Sequence, residues 1–250
     1  VTHPFSDHFG GVSRQYVESR PTYPPELFAW LAAQAPASDL AWDCGAGNGQ
    51  ASVALAAHFA RVVATDASAG QLAHAEPHPR VEYRQAAAEA SGLAAGSVAL
   101  VTVAQALHWF PQSAFHAEVA RVLRPGGVIA AWTYGAFTLG LKEADAIVRA
   151  YHYVTCASWW PPERVHVENG YRDLTFPFAR LATPEFHMHS QWTLLQVVGF
   201  LRSWSATARL AAAEGGDPVA PVERALREVW GDPDVPVDID WPLTVLAGRV

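Results

Sequence analysis

The sequence predicts a doubly wound α/β fold, and three observations predict it. Five apolar, strand-like segments alternate with helix-like segments over residues 38–134. That alternation is the pattern of a parallel sheet with right-handed helical crossovers. The run Gly45-Ala46-Gly47-Asn48-Gly49 follows the first of those strands and opens a helix. A strand–glycine loop–helix unit holds a nucleotide-like ligand at the edge of a parallel sheet. Half of the 250 residues are hydrophobic, enough for one domain with a substantial core.

The elements follow in order. Residues 1–24 are polar and aromatic, and the prolines of Arg20-Pro21-Thr22-Tyr23-Pro24-Pro25 pre-set a helix over 26–35. Leu27, Trp30 and Leu31 stand at helical spacing there. Strands are expected at 40–44, 61–65, 81–85, 98–104 and 128–132, the fourth apolar on both faces as a buried parallel strand is. Helices are expected at 50–59, 68–75 and 111–123, the last stopped by Arg124-Pro125-Gly126-Gly127. Residues 135–180 break the rhythm and read as a helical insertion folded over the top of the sheet. Beyond them come a strand near 185–192, helices near 194–207 and 222–230, and a last strand near 241–248. The late strands pair to complete one sheet edge. The whole reads as a single domain: a cap segment (1–37), a ligand-binding core (38–134), a substrate-side insertion (135–180) and C-terminal strands and helices (181–250).

Composition narrows the function. The net charge of -7 repels phosphate backbones, so nucleic acid is not an expected partner. No apolar stretch reaches the ~20 residues that span a bilayer, so no membrane role is expected. The start at Val1 lacks an initiator Met, which suggests that earlier residues were removed or left out, and it carries no secretory pattern. Two cysteines, Cys44 and Cys156, fit a reducing cytoplasm. Among ten tryptophans, Trp159, Trp160, Trp192 and Trp204 fall late, where they either fill a core or enclose a flat small molecule. His187-Met188-His189 places two imidazoles on one strand face, yet no Cys or carboxylate pair completes a metal set, and no metal is expected. Oligomeric state is left open.

Asp66 closes the second strand, 17 residues beyond Gly49, where a carboxylate accepts hydrogen bonds from both hydroxyls of a ribose. An N-cap for the following helix is the plainer role. The glycine pattern leans away from a dinucleotide. That fingerprint needs a small third residue for close helix–strand packing, and here the position holds Gln50.

These motifs resemble the class I S-adenosylmethionine-dependent methyltransferases. Asp43-Cys44-Gly45-Ala46-Gly47-Asn48-Gly49 is similar to their first motif, Thr65-Asp66-Ala67-Ser68 to their second, and Ala87-Ala88-Glu89 to the segment flanking the adenine. Gln105-Ala106-Leu107-His108-Trp109-Phe110 and Val122-Leu123-Arg124-Pro125-Gly126-Gly127 resemble a small-molecule branch that includes trans-aconitate methyltransferase-like proteins. Tyr16, Arg20, Pro21, Tyr23 and Pro24 match that branch at the N-terminus. Trp160-Pro161-Pro162-Glu163-Arg164, Asn169-Gly170-Tyr171-Arg172 and Phe176-Pro177-Phe178 match its insertion, and Leu201–Ser205 and Trp241–Thr244 its tail. The likeness covers nearly the whole chain. It implies a mostly parallel, seven-stranded Rossmann-like sheet with an antiparallel edge.

The resemblance also implies roles. S-adenosylmethionine is the expected cofactor, with Arg20, beside Tyr16, on its methionine carboxylate. Gly45, Ala46 and Gly47 offer backbone contact, and Gln105 with the carbonyls of Gly45 and Ala104 neighbours the sulfonium. Asp43 either braces the loop or meets the amino group. Backbone near Ala88 and Glu89 and packing from Ala67 and Leu107 hold the adenine, since Ala87 lacks the polar side chain many members carry there. His108 is the candidate base, or else a histidine fixing its loop. Trp109 walls the cofactor or the substrate pocket, and Trp160 is a further substrate-side candidate. Arg164, with His166 and Arg172, either neutralises an acidic substrate or pairs with Glu163 and Glu168. The expected activity is methyl transfer from S-adenosylmethionine to a small-molecule acceptor, at a carboxylate or hydroxyl of an organic acid or secondary metabolite. The alternatives are an NAD(P)-dependent oxidoreductase and a non-catalytic S-adenosylmethionine-binding module.

Overall fold

The computed structural model describes residues 21–250. Its centre is one sheet of eight strands: β1 (Leu40–Cys44), β2 (Arg61–Asp66), β3 (Val81–Gln85), β4 (Val98–Ala104), β5 (Leu123–Thr133), β6 (Ala179–Arg180), β7 (Phe186–Trp192) and β8 (Val237–Arg249). The order along the sheet is β3-β2-β1-β4-β5-β8-β6, and β7 pairs the free half of β8. The pairs from β3 to β5 are parallel, and β8 lies antiparallel to β5. The chain leaves β1 toward β2 and β3, then returns to lay β4 on β1's other side. The strand order therefore reverses between β1 and β4, which opens a crevice beyond their carboxyl ends.

Alternation along the strands makes two cores. Trp42, Val63, Val101, Val103 and Ile129 face Phe115, Val119 and Val122 of helix α4 (Gln112–Val122), counted after α1 (Pro25–Gln34), α2 (Gln50–Leu55) and α3 (Ala69–Leu72). Ala41, Val62, Leu100, Val128 and Ala130 face the other way, against Leu27, Phe28 and Leu31 of α1. All but the last residue of β4 are buried, as the run of apolar residues predicts for a central parallel strand.

A third core lies beyond. There the Val237–Leu243 half of β8 pairs β7, while its Thr244–Arg249 half pairs β5. Phe137, Tyr151, Trp192 and Trp241 fill the third core with apolar residues of α5 (Lys142–Ala150), α7 (Leu194–Arg202), α8 (Ser205–Glu214) and α9 (Ala220–Trp230), while Val167 of α6 (Arg164–Glu168) joins the first core. The late tryptophans join this packing. Trp204 stacks on Tyr151 with centroids 5.9 Å apart and contacts Trp160 at 5.5 Å.

Several boundaries differ from the sequence expectation; the helix expected over 68–75, for one, spans only Ala69–Leu72. The helix expected over 50–59 ends at Leu55, where Ala57 and His58 close a tight turn that lets Phe59 drop into the core. The Arg124–Gly127 run stops α4 but does not delay β5, which begins at Leu123. Leu123 pairs Val98 and Val128 pairs Leu100, so residues 124–127 bulge out of the ladder with Gly126 at φ +76°. The single helix expected over 194–207 is two. The Ser203 hydroxyl bonds the Phe200 carbonyl, Trp204 turns extended, and its ring joins the aromatic core. The last strand is longer than expected because its first half serves β7, and the two-residue β6 had no sequence signal.

Candidate active site

The loop after β1 is fixed from below and from the side. The amides of Gly45 and Ala46 both donate to the Thr65 carbonyl at the end of β2, at 2.8 and 3.0 Å. The Gly47 amide donates to the Asp66 carboxylate at 2.9 Å, and the Ser68 amide to its other oxygen at 2.8 Å. Ser68 itself caps α3 through its hydroxyl. Asp66 is half-buried and stands against the loop, so a carboxylate anchored by backbone amides is held at the crevice.

All three glycines have left-handed φ, but only one leaves space. A Cβ on Gly45 would lie 2.6 Å from the Ala106 Cβ, and one on Gly49 would lie 2.2 Å from the Tyr83 hydroxyl. A Cβ on Gly47 would meet nothing nearer than Gln71 at 3.8 Å. Gly45 and Gly49 are therefore glycine because the protein packs against them, and Gly47 is where a ligand can approach the backbone. Gln50, unexpected in a dinucleotide loop, donates its side-chain amide to the Pro21 carbonyl at 3.0 Å and so ties the entering chain to the loop.

Asp43 lies beneath this surface. It is fully buried, and its carboxylate accepts from the Ser52 hydroxyl at 2.5 Å and the Thr102 hydroxyl at 2.8 Å. Burial pushes its pKa up to about 6, against the pull of those two bonds. The position is that of a brace joining β1, α2 and β4, without contact to the crevice. Cys44 beside it is buried, and burial pushes its thiol up, away from nucleophile chemistry.

At the end of β4, Gln105 adopts φ +56°, a left-handed conformation for a side-chain-bearing residue. Its amide nitrogen donates to the Tyr134 carbonyl at 3.0 Å, and its oxygen accepts from the Thr133 hydroxyl at 2.5 Å. The side chain thus clasps the end of β5. His108 sits on a single 3-10 turn, Leu107–Trp109, with Nδ1 3.0 Å from the Tyr171 hydroxyl. Desolvation first, then the neighbouring Arg164 and His166, holds the ring's pKa down at about 3. Trp109 is 37% exposed beside it, ring centroids 4.7 Å apart.

The remaining candidates are spread around this centre. The Ala67 carbonyl accepts from Gln85, Ala88 is buried and Glu89 exposed at the crevice edge beyond β3. In the insertion, Arg164 bonds Glu168 at 2.7 Å and lies 4.7 Å over the Trp160 ring, whose indole nitrogen donates to the His152 carbonyl. His166 likewise pairs with Asp173 at 2.8 Å. Arg164 and His166 are thus matched by the protein's own carboxylates. Tyr16 and Arg20 lie outside the described residues. His187 and His189 both pair with Asp240, and among the described residues no group of three or more His, Cys, Asp or Glu is placed for a metal ion. Sequence reasoning gave no role to Thr133, and it quoted Tyr171 only as part of a matching segment. Tyr171 contacts His108 across 63 residues of chain.

Comparison with known proteins agrees with this geometry. The methyltransferase domain family matches residues 42–131. A methyltransferase-family protein of Dictyostelium discoideum is 33% identical over 252 residues, covering 98% of this chain and 95% of that one. A solved structure assigned to the type II methyltransferases, from Anaeromyxobacter dehalogenans, superposes with a TM-score of 0.87 at 46% identity, covering 92% of this chain and 97% of the other. A Mycobacterium tuberculosis methyltransferase of uncharacterised role is 39% identical over 120 residues, 48% of this chain and 49% of that one. With the reversal of strand order, the open approach over Gly47 and the carboxylate of Asp66 beside it, these likenesses place the chain among the class I S-adenosylmethionine-dependent methyltransferases.

Proposed function

We infer that this enzyme methylates a small-molecule acceptor, an organic acid or secondary metabolite, at a carboxylate or hydroxyl oxygen, in the manner of the trans-aconitate methyltransferase-like branch. The observation that carries the small-molecule reading is the insertion. Residues 135–180 pack α6 against the Leu107–Trp109 turn, so the insertion closes in on the turn that carries His108 and the half-exposed Trp109. A nucleic-acid acceptor calls for a basic face, and the chain carries a net charge of -7. A cytoplasmic setting belongs to the same proposal and is supported by two buried free thiols.

The residues present fit the cofactor. Asp66 would take the ribose hydroxyls, Gly45–Gly47 the methionine end, and Ala67, Ala88, Glu89 and Leu107 the adenine, with Tyr16 and Arg20 assigned to the carboxylate. When bound, S-adenosylmethionine supplies an electrophilic methyl carbon whose bond to sulfur breaks as the acceptor's lone pair forms the new one. The protein aligns the acceptor with that carbon and excludes water, and alignment alone is worth ~7–11 kcal/mol of barrier. Gln105 holds the ends of β4 and β5 together at the point of alignment, and Trp109 shields it.

Titration calorimetry with S-adenosylmethionine tests the site. Asp66→Ala removes a charged hydrogen-bond acceptor worth ~1.5–3 kcal/mol, so Kd rises roughly 10- to 100-fold. An unchanged Kd sinks the ribose assignment. A screen of labelled methyl transfer to organic acids, phenols and amines then identifies the acceptor, and transfer confined to proteins or nucleic acids overturns the small-molecule reading.

A further inference from the structure

The guanidinium of Arg164 has two edges that can each hold two acceptors, and the structure fills only one of them. Nε and Nη2 share an edge of the plane. Nε donates to the Glu168 Oε1 at 2.7 Å, and Nη2 lies 3.3 Å from the His152 Nε2. Those two acceptors stand 3.6 Å apart, side by side along that edge. The other edge, formed by Nη1 and the second hydrogen of Nη2, has no partner among the described residues, and Nη1 is not sealed in the interior. The face of the guanidinium is fixed as well, 4.7 Å over the Trp160 ring, and the side chain is 23% exposed.

The imidazole in this grip is buried in a way that its contact with Arg164 explains. A guanidinium can only donate, so the His152 Nε2 accepts and the ring's hydrogen sits on Nδ1. Nδ1 is buried with no partner. A phenyl ring would pack among Tyr153, Trp160 and Trp204 without an orphaned donor, so what the imidazole adds is the bond to Arg164. Burial, and then the Arg164 cation, hold the ring's pKa down at about 4, and it stays neutral as an acceptor must. His152 also lies in a π-helical turn, Tyr151–Thr155, a geometry that gathers at functional sites.

The cluster borders the crevice on two sides. α6, which carries Arg164 and Glu168, packs on the Leu107–Trp109 turn. A Cβ on Gly135 would lie 3.6 Å from the Glu168 Oε2, one residue past the Tyr134 carbonyl that holds Gln105. The charge suits an anionic guest. Glu168 balances Arg164, but Arg149 has no carboxylate partner among the described residues. Arg149 lies 5.5 Å over the ring of Tyr153, whose hydroxyl donates to Glu168. Together the three charged groups leave one positive charge, in a chain whose net charge is -7.

We propose that Arg164 grips a carboxylate of the acceptor by its open edge, and that His152 and Glu168 are positioning residues that hold the guanidinium with that edge free. This rests on the methyl-transfer reading of the site and narrows it. An arginine edge matches both oxygens of a carboxylate at once. A carboxylate held by both oxygens has its lone pairs engaged and is a poor nucleophile. The gripped group is therefore an anchor, and the methylated atom belongs to a second group of the same acceptor. The product keeps a free carboxylate.

Acetate tests the anchor, because it is a carboxylate small enough for any such site. It is titrated into the full chain at neutral pH and constant ionic strength, with acetamide as the uncharged isostere. The reporter is the indole N–H signal of Trp160, identified by its loss in Trp160→Phe. Acetate should move this signal saturably and acetamide should not. Arg164→Gln should weaken acetate binding at least about tenfold, as loss of a charged partner does. His152→Phe keeps the packing but removes the acceptor, and should weaken acetate roughly three- to tenfold. His152→Gln, whose amide oxygen accepts in place of Nε2, should restore it. A wild-type measurement serves if the phenylalanine variant does not fold: with 15N-labelled arginine, the held guanidinium should show separate Nη1 and Nη2 signals. No response to acetate, an equal response to acetamide, an affinity unmoved by Arg164→Gln or His152→Phe, or a single averaged Nη signal overturns the proposal. In the labelled-methyl screen, products that keep a free carboxylate support it, and turnover confined to acceptors with no carboxylate besides the methylated group overturns it. For a supporting acceptor, His152→Phe should raise KM and leave kcat nearly unchanged. The acetate titration needs no methyl transfer, so failure of the methyltransferase reading is seen separately, as absence of S-adenosylmethionine binding in calorimetry.

Discussion

Replacing Asp43 by Asn should make the protein less sensitive to pH. The carboxyl is fully buried, and its pKa is raised from 3.8 to about 6, chiefly by burial. A raised acid stabilises the fold fully below its unfolded pKa, and that contribution is lost as pH rises through the folded value. A rise of that size is worth ~3 kcal/mol, most of it lost between about pH 4 and pH 7. Asn keeps the shape, accepts from one hydroxyl and donates to the other, at a cost of about 1 kcal/mol that does not depend on pH. Urea unfolding of both proteins at pH 4.5 and pH 7.5 reads the difference. Stability of the variant relative to wild type should rise by roughly 2 kcal/mol between the two conditions. A difference that stays constant refutes the reasoning, since it would mean that Asp43 ionises in the fold as easily as in water.

Other outcomes follow from the same geometry. Gly49→Ala drives a Cβ to 2.2 Å from the Tyr83 hydroxyl at φ +87°, so thermal unfolding should show a loss of about 1–3 kcal/mol, partly restored by adding Tyr83→Leu. Gly47→Ala meets only open space, so stability should fall by just ~1–2 kcal/mol from its left-handed φ, while calorimetry shows S-adenosylmethionine affinity down at least tenfold. His108, facing Arg164, His166, Tyr171 and Trp109, has a lowered pKa, so its neutral form persists until pH falls toward about 3. Its stabilising contribution is present above its ordinary value near 6.5 and is lost below it. The pH profile of kcat/KM should therefore lack an imidazole inflection between pH 5 and 8, and Arg164→Gln should move the ring's NMR titration upward.

How far the sequence could be read depended on what caused each feature. The bounds of β1, β3 and β4 match the expectation residue for residue: β1 and β4 are largely apolar runs closed by Gly45 and Gln105, and β3 alternates Val81 and Tyr83 with Glu82 and Arg84. The break between α7 and α8 was hidden because both sides keep helical spacing. What splits them is the packing of Trp204 among Tyr151, Trp160 and Phe200, a tertiary fact. Pro125-Gly126-Gly127 reads as a stop because such residues end helices. Here they also form a bulge inside β5, which only the register with β4 reveals. Thr133 is silent in the sequence for a similar reason: a threonine closing an apolar strand looks like any strand end, and its meaning comes from Gln105, 28 residues away.

The glycine loop shows most clearly how a motif can be legible while its reasons are not. Three glycines in alternation look like three backbone contacts with a ligand. In the structure two of them answer to the protein: Gly45 to Ala106 and Phe110, and Gly49 to Tyr83. The small residue of this loop stands at Gly49, where the Tyr83 ring packs against it. Position 50 is not small, and Gln50 uses its amide to fasten Pro21 to the loop. The departure from the dinucleotide pattern at position 50 thus gives the loop a hydrogen bond to the chain entering at Pro21. Gln50→Ala should accordingly weaken cofactor binding through the entering chain, while Gly47→Ala weakens it through the backbone itself.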